Sequence, residues 1–355
     1  MKLQAKDSIK FNVLVPVFNV ENYIRTCIES VLNQTFDNFC LVLVDDGTPD
    51  RSGEICDDYA RMDDRIKVIH QANKGSLAAR RVAIDYVLTQ DRGDQQYIVF
   101  LDSDDSLKPK ALETIYDTIM QYHCDMVVFG MNRVHNGKTL HSRNEVKEFS
   151  GSITSKRFLY NLVFKNSAYN SLCRKAVNLR LFSDQDYTEY YSIRHAEDLL
   201  QSIELYKNSD KVVFIPDKLY NYTVNPASIT QSIKYGNYKV NSTVRSRVYN
   251  FLLGESIWAK DDYDHYLSYC QGLLNSEIKM ISRFETITTN KLELLRIITE
   301  DDYYSMLLKK AGPMKPLLYL LNKRKYHQVL RILTLQSSVR IFVKKTLRQK
   351  EKNAN

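Results

Sequence analysis

No apolar run in the 355 residues approaches the roughly 20 that a membrane-spanning helix needs, so no transmembrane helix is expected. The opening Met1-Lys2-Leu3-Gln4-Ala5-Lys6-Asp7 holds no apolar stretch, and no secretory leader is expected from it. Cysteine is sparse and scattered, at Cys27, Cys40, Cys56, Cys124, Cys173 and Cys270, with no C-x-x-C pair. That pattern argues against a cysteine metal cluster and a disulfide framework, and it suits a reducing cytoplasm. Tryptophan occurs once, at Trp258, and there is neither an internal repeat nor a low-complexity segment.

What is present begins with length. A chain of 355 residues exceeds one ordinary core, so one large domain with an appendage, or two domains, is expected. A hydrophobic content of 44% is ordinary for a globular protein. The net charge of +8 is unevenly spread: residues 309–352 hold thirteen Lys/Arg and one acidic residue, Glu351, so that segment carries +12 and the remainder −4. An anionic partner is therefore expected to meet the C-terminal segment.

From residue 11 to about 130, short apolar runs alternate with helical patterns. Strands are predicted at 11–17, 39–44, 66–69 and 97–101, and helices at 21–32, 52–62, 77–88 and from beyond Pro109 to about His123. Nearly continuous apolar strands alternating with helices imply a mostly parallel sheet covered on both faces. A hairpin is predicted around Asn136-Gly137, joining 126–134 to 138–146. Residues 156–163 and 197–206 read as helices, 184–191 as loop and 212–216 as a late strand. After about Tyr235 helical patterns fill the chain, interrupted near Ala311-Gly312-Pro313.

In open α/β sheets, ligands bind beyond the carboxyl ends of the strands. Two acidic pairs fall at such ends, Asp45-Asp46 and Asp102-Ser103-Asp104. Carboxylates one residue apart, delivered where a strand becomes a loop, suit a hard divalent cation, which prefers carboxylate, water and phosphate oxygens. Such an ion could bridge the protein to a diphosphate.

Several further elements appear in a particular order: Val15-Pro16-Val17-Phe18-Asn19, Ser30-Val31-Leu32-Asn33-Gln34-Thr35, Val44-Asp45-Asp46-Gly47-Thr48-Pro49-Asp50, Asn73-Lys74-Gly75 with Ala79-Arg80, Leu101-Asp102-Ser103-Asp104-Asp105, Ala196-Glu197-Asp198, and Leu219-Tyr220-Asn221-Tyr222 followed by Ser228-Ile229-Thr230. In this the chain resembles the inverting glycosyltransferases of family 2, of bacterial surface-polysaccharide type, over about residues 10–232. The resemblance implies a GT-A fold, a Rossmann-like, mostly parallel sheet flanked by helices, in residues 1–235; residues 236–355 match no motif of the family and are expected, from their helical patterns, to form an α-helical C-terminal region. It also implies a UDP-sugar donor held by Pro16, Phe18, Asn19, Glu21, Asp46, Lys74, Gly75, Arg80, Asp102 and Ser103. Asp46 would accept from the uracil imide N–H, as a carboxylate offers no donor. Arg80 would lie near base or phosphates. Asp104, with Asp102, would hold Mn2+ or Mg2+, Asp198 would be the general base, and Glu197 would orient the acceptor or Asp198. Asp105 is expected to cap the following helix.

The chain also departs from the family's pattern. Pro49 stands within the turn after the second strand, Arg81 follows Arg80 where Asn is common, and Thr223 follows Tyr222 where Arg is frequent. There is no Q-x-x-R-W motif, which with the missing membrane spans implies one sugar added per encounter. The function expected is transfer of a hexose or N-acetylhexosamine to a glycan or lipid-linked acceptor. A sugar nucleotidyltransferase is the second enzyme class, and the loop Pro16–Glu21, without Gly, Lys or Arg, argues against it. A silent glycan-binding protein is the third, opposed by intact Asp102, Asp104 and Asp198. No nucleic-acid-binding module accompanies the basic tail.

In that tail, Tyr326, Val329, Leu330 and Leu333, then Val339, Phe342, Val343 and Leu347, recur at helical spacing between basic residues. The pattern is expected to lie on an anionic membrane, the inner face of the plasma membrane. The alternatives are a helical bundle with a solvated basic face and a homodimer contact.

Overall fold

The computed structural model describes residues 9–90, 95–140, 150–165, 167–182, 187–191, 193, 197–224, 238–255, 257–284, 287–310 and 315–336. It forms two compact units, Met1–Ser232 and Ile233–Asn355.

The first unit is built on a mixed sheet. Its strands are β1 (Lys10–Val17), β2 (Phe39–Asp45), β3 (Ile66–His70), β4 (Gln96–Phe100), β5 (Ser106–Leu107), β6 (Met126–His135), β7 (Lys138–Leu140), β8 (Gly151–Ile153), β9 (Lys175–Asn178) and β10 (Val212–Thr223). The helices between them are α1 (Ile24–Leu32), α2 (Ser52–Met62), α3 (Ser76–Gln90), α4 (Ala111–Tyr122), α5 (Lys156–Lys165) and α6 (Glu197–Asn208). The order across the sheet is β3-β2-β1-β4-β9-β6-β10-β5.

The half β3-β2-β1-β4 is parallel, with Val13 facing Leu41 on one side and Val99 on the other. β1, β2 and β4 are buried almost throughout because the helices return the chain and cover the sheet, whereas in the edge strand β3 only Ile66 is buried. Beyond β4 the sheet becomes mixed. β9 is inserted antiparallel to both β4 and β6, β10 runs parallel to β6, and β5 closes the edge antiparallel to β10.

Several boundaries differ from the sequence reading. α1 begins at Ile24 rather than Glu21, because residues 19–21 are held out of helical geometry: Asn19 has φ 56° and the Glu21 N–H is taken by Asp50 at 2.9 Å. β10 continues past Pro216, which falls in an irregularity of register between Phe214 and Lys218, where its missing N–H breaks no ladder bond. The Asn136-Gly137 turn forms with φ 48° and 72° and joins β6 to β7, whose described pairing ends at Leu140; residues 141–146 lie outside the described residues. Within 184–191 a 3-10 turn occupies Thr188–Tyr190, and 184–186 lie outside the described residues. β5, β8 and β9 had no sequence signal; strands of two to four residues exist only through their partners.

The second unit holds α7 (Tyr238–Gly254), α8 (Lys260–Phe284), α9 (Thr288–Glu300), α10 (Asp302–Lys309), α11 (Pro316–Asn322) and a further helical run over 326–336. Its core includes Leu274, Ile278, Leu295, Ile298, Leu307 and Leu321. Inside it Arg245 pairs with Glu277 at 2.8 Å, and Glu277 also accepts from Tyr304 (2.9 Å) and Asn241 (2.8 Å), so its charge is compensated from three sides. Among the described residues no helix is long and apolar enough to cross a membrane.

The amphipathic stretch at 326–333 turns its apolar face into this unit. Val329 and Leu333 are buried, and Tyr326 shares a hydrogen bond with Thr299 at 2.8 Å. Lys323, Arg324, Lys325 and Arg331 are left exposed. For this stretch the bundle with a solvated basic face is what the fold adopts. The interruption at 311–313 and the repeat at 339–347 lie outside the described residues.

Candidate active site

The carboxyl ends of β1, β2 and β4 lie side by side because these strands are parallel neighbours. Asp46 follows β2 and is 2% exposed. Its Oδ1 accepts from Gln71 Nε2 (2.7 Å) and the Lys74 N–H (2.8 Å), and its Oδ2 accepts from the Gly75 N–H (2.7 Å). A carboxylate has about four acceptor sites, and three are filled by the loop after β3. Asp46 thus holds its own neighbouring loop in place. Gly75 has φ 93° there, and Gly47 has φ 65° with its missing Cβ position 2.8 Å from the Asn73 nitrogen, so both positions demand glycine.

The loop after β1 is tied to the start of α2. Pro16 still pairs with Val44, and Phe18 is exposed. The Asn19 N–H donates to Thr48 Oγ1 (2.8 Å), the Val20 N–H to Ser52 Oγ (3.0 Å), and Glu21 accepts from the Arg51 N–H (3.2 Å). Asp50 is the hub of this loop, accepting from Thr48 Oγ1, from the hydroxyl and N–H of Ser52 and from the Glu21 N–H. Burial alone would raise its carboxyl, but these donors bring it down to about 2. Thus Thr48, Asp50 and Ser52, which flank Pro49, carry the loop's organisation, and Glu21 acts within it.

Beyond β4, Asp102 and Asp104 are partly exposed and Ser103 is buried. Asp105 is not a helix cap, since α4 starts only at Ala111. It is buried and accepts from Tyr220 Oη (2.6 Å) and the Thr223 N–H (2.7 Å), fixing the end of β10. Tyr220 Oη in turn accepts from the Asp102 N–H (3.1 Å). Burial, with the charges of Asp102 and Asp104, pushes the Asp105 carboxyl well above its usual range.

Arg80, on α3, is 5% exposed and draws the site together. Its Nη2 donates to Asp102 Oδ1 (2.7 Å), its Nη1 donates to Asp198 Oδ1 (3.2 Å), and Nη1 lies 3.9 Å from Glu197 Oε1. Arg80 thus forks onto carboxylates of two different elements. Guanidinium is always charged and can bridge separated carboxylates. Glu197 and Asp198 open α6, and each has a second partner: Ser76 Oγ donates to Glu197 Oε1 (3.2 Å), and the Leu172 N–H donates to Asp198 Oδ2 (3.2 Å). Burial raises the Asp198 carboxyl above the ordinary range despite Arg80, with Glu197 and Asp102 adding to the rise. Gly75 bonds Asp46 and the adjacent Ser76 bonds Glu197, so one turn of chain joins the two halves of the site.

Asp104 and Asp102 are the two carboxylates beyond β4 that could share a hard cation. Asp105 is committed to β10, and Arg80 donates to Oδ1 of Asp102. Among the described residues no group of three or more His, Cys, Asp or Glu forms a metal cage. A pair of aspartates fits Mg2+ or Mn2+ coordination completed by water and phosphate oxygens. Arg81 turns to Asp85 (3.2 Å) and lies 5.8 Å from the Tyr187 ring. His195, Ala196 and Ser228–Thr230 lie outside the described residues. Sequence reasoning missed Asp50, Gln71 and Tyr220 as organisers; for Tyr220 the signal was its place in the Tyr-x-Tyr element.

A model of the family described as glycosyl transferase family 2 matches residues 12–182. The chain is 30% identical over 228 residues to glycosyltransferase GlyG of Streptococcus pneumoniae serotype 4, covering 62% of this chain and 73% of GlyG. It is 31% identical over 228 residues to glycosyltransferase GlyA of the same organism, covering 62% of this chain but only 32% of GlyA's length. In fold it is similar to Staphylococcus aureus TarS 1–349, solved in complex with UDP-GlcNAc, with a TM-score of 0.68 and 20% identity over 93% of this chain and 92% of that one.

Proposed function

The chain belongs to glycosyl transferase family 2, and from that premise we propose that it moves a hexose or N-acetylhexosamine from a UDP-sugar to a hydroxyl of a glycan or lipid-linked acceptor. The transfer proceeds with inversion, one sugar per encounter, in surface polysaccharide synthesis. The observation that carries this reading is the Arg80 fork, which sets the strand-end carboxylate Asp102 and the helix-start carboxylates Glu197 and Asp198 on one wall. TarS, whose fold this chain shares, is described as a poly(ribitol-phosphate) beta-N-acetylglucosaminyltransferase, which supports an amino-sugar donor as one candidate.

Inversion needs a single base, on the face of the sugar opposite the leaving group. Asp198 fills that role by taking the acceptor's proton. The Leu172 N–H and Arg80 fix its orientation, and burial keeps its affinity for the proton high. Glu197, steadied by Ser76, orients the acceptor. Phe18, Asn19, Lys74 and Gly75 border the place for the nucleotide. Asp104 and Asp102 would hold Mn2+ or Mg2+, which when bound supplies positive charge against the departing diphosphate.

Replacing Asp104 by Ala is expected to abolish the metal-dependent part of UDP affinity. Calorimetric titration of UDP with and without Mn2+ checks it, and an unchanged metal increment in the variant removes Asp104 from the metal site.

The exposed Lys323, Arg324, Lys325 and Arg331 suit an anionic bilayer, each contributing on the order of 1 kcal/mol near the surface. We therefore place the enzyme in the cytoplasm, peripheral on the inner face of the plasma membrane, where lipid-linked acceptors lie. Wild-type protein should float with phosphatidylglycerol vesicles, while the triple variant Lys323→Glu, Arg324→Glu, Lys325→Glu should stay in the load. Equal flotation of the two refutes this docking, and a shift in sedimentation of the variant instead assigns the patch to a homodimer.

A further inference from the structure

Three consecutive carbonyl groups, those of Tyr169, Asn170 and Ser171, are each captured by a buried side chain. Lys175 Nζ, on β9, donates to Tyr169 O at 2.8 Å and to Ser171 O at 2.6 Å. Tyr206 Oη also donates to Tyr169 O, at 3.0 Å, and Ser202 Oγ donates to Asn170 O. The next amide along the chain is that of Leu172, which donates to Asp198 Oδ2. Asp198, Ser202 and Tyr206 stand four residues apart on α6 and so share one stripe of that helix. The 169–172 segment is therefore laid along this stripe, with its last N–H delivered to the carboxylate.

Lys175 is the member of this arrangement that most needs a reason. It is 0% exposed, and its described hydrogen bonds are to the two carbonyls, with the Tyr206 ring 5.5 Å away. A Met would fill the space without the desolvation cost of an ammonium. What the lysine adds is donors, reaching two carbonyls that flank a third. Burial lowers its pKa while the charge of Asp198 opposes that. Even as a neutral amine it keeps two N–H donors, one per carbonyl.

We propose that Lys175 is a positioning residue for Asp198: by pinning the carbonyls of Tyr169 and Ser171 it aims the Leu172 N–H at the carboxylate and sets its direction for proton transfer. The catalytic half of this statement rests on Asp198 as the base; the geometric half does not.

The test is amide hydrogen exchange at Leu172, read by NMR on the full chain. Lys175→Met and Ser202→Ala should each speed that exchange by about tenfold or more while distant core amides keep their protection. Lys175→Gln, uncharged but still a donor, should lie between Met and wild type. With the UDP-sugar that wild type hydrolyses fastest among the glucose, galactose, GlcNAc and GalNAc forms, Lys175→Met should lose kcat by about ten- to a hundredfold at unchanged KM. Unaltered Leu172 exchange in folded Ser202→Ala and Lys175→Gln, whether or not Lys175→Met folds, overturns the proposal. Exchange that responds as expected while Asp198→Asn keeps full turnover overturns the base assignment alone.

Discussion

Asp198→Asn will lose turnover by about 10²- to 10⁴-fold, the range a positioned general base contributes, while UDP still binds. The amide has nearly the shape of the carboxylate and can still accept a bond from Arg80 or Leu172, so the fold is kept and the proton acceptor is lost. Donor turnover and UDP calorimetry on the same preparation check this, and a variant with wild-type turnover removes Asp198 from the chemistry. The wild-type pH profile adds a second check. Only ionised Asp198 can take a proton, and its carboxyl lies above the ordinary range of about 4, so the rate should fall on acidification before ordinary surface carboxylates titrate. For stability the sign is opposite: with a raised folded-state pKa, this group's stabilisation is full below the unfolded value and is lost as pH rises through the folded one.

Arg80→Ala will damage both stability and activity. Arg80 is buried, and its removal leaves Asp102, Asp198 and Glu197 facing one another without their shared cation. Breaking a buried pair by deleting one partner costs about 3–5 kcal/mol. Urea unfolding at neutral pH should show a loss of that size, and it should shrink on acidification as Asp198, whose carboxyl already lies above the ordinary range, accepts a proton. Arg80→Lys should rescue little, because one ammonium cannot fork to Asp102 and Asp198 together. Wild-type stability for Arg80→Ala would mean that the three carboxylates are not coupled through this side chain.

Much of this was legible locally. The apolar runs marked β1 to β4 within a residue or two; in β1, β2 and β4 a strand buried on both faces needs nearly every position apolar. The acidic pairs at 45–46 and 102–104 were legible as strand ends for that reason, and Glu197-Asp198 as a helix start from the helical spacing of the apolar residues that follow. β9 was not legible: Lys175-Ala176-Val177-Asn178 becomes a strand by sitting between β4 and β6, which lie far from it in sequence. Nor did the pattern at 326–333 disclose which surface would take its apolar face; packing within the helical unit took Val329 and Leu333.

By itself the sequence determined which chemical groups stand at the carboxyl end of the sheet, since periodicity and run length place the ends of strands and helices without reference to distant chain. The tertiary structure decided what those groups touch. Arg80 reaches Asp102 22 residues away and Asp198 118 residues away, and Asp46 is filled by a loop 25 to 29 residues on. Hydrogen-bond partners at such separations follow from the order of strands across the sheet, which no local pattern encodes.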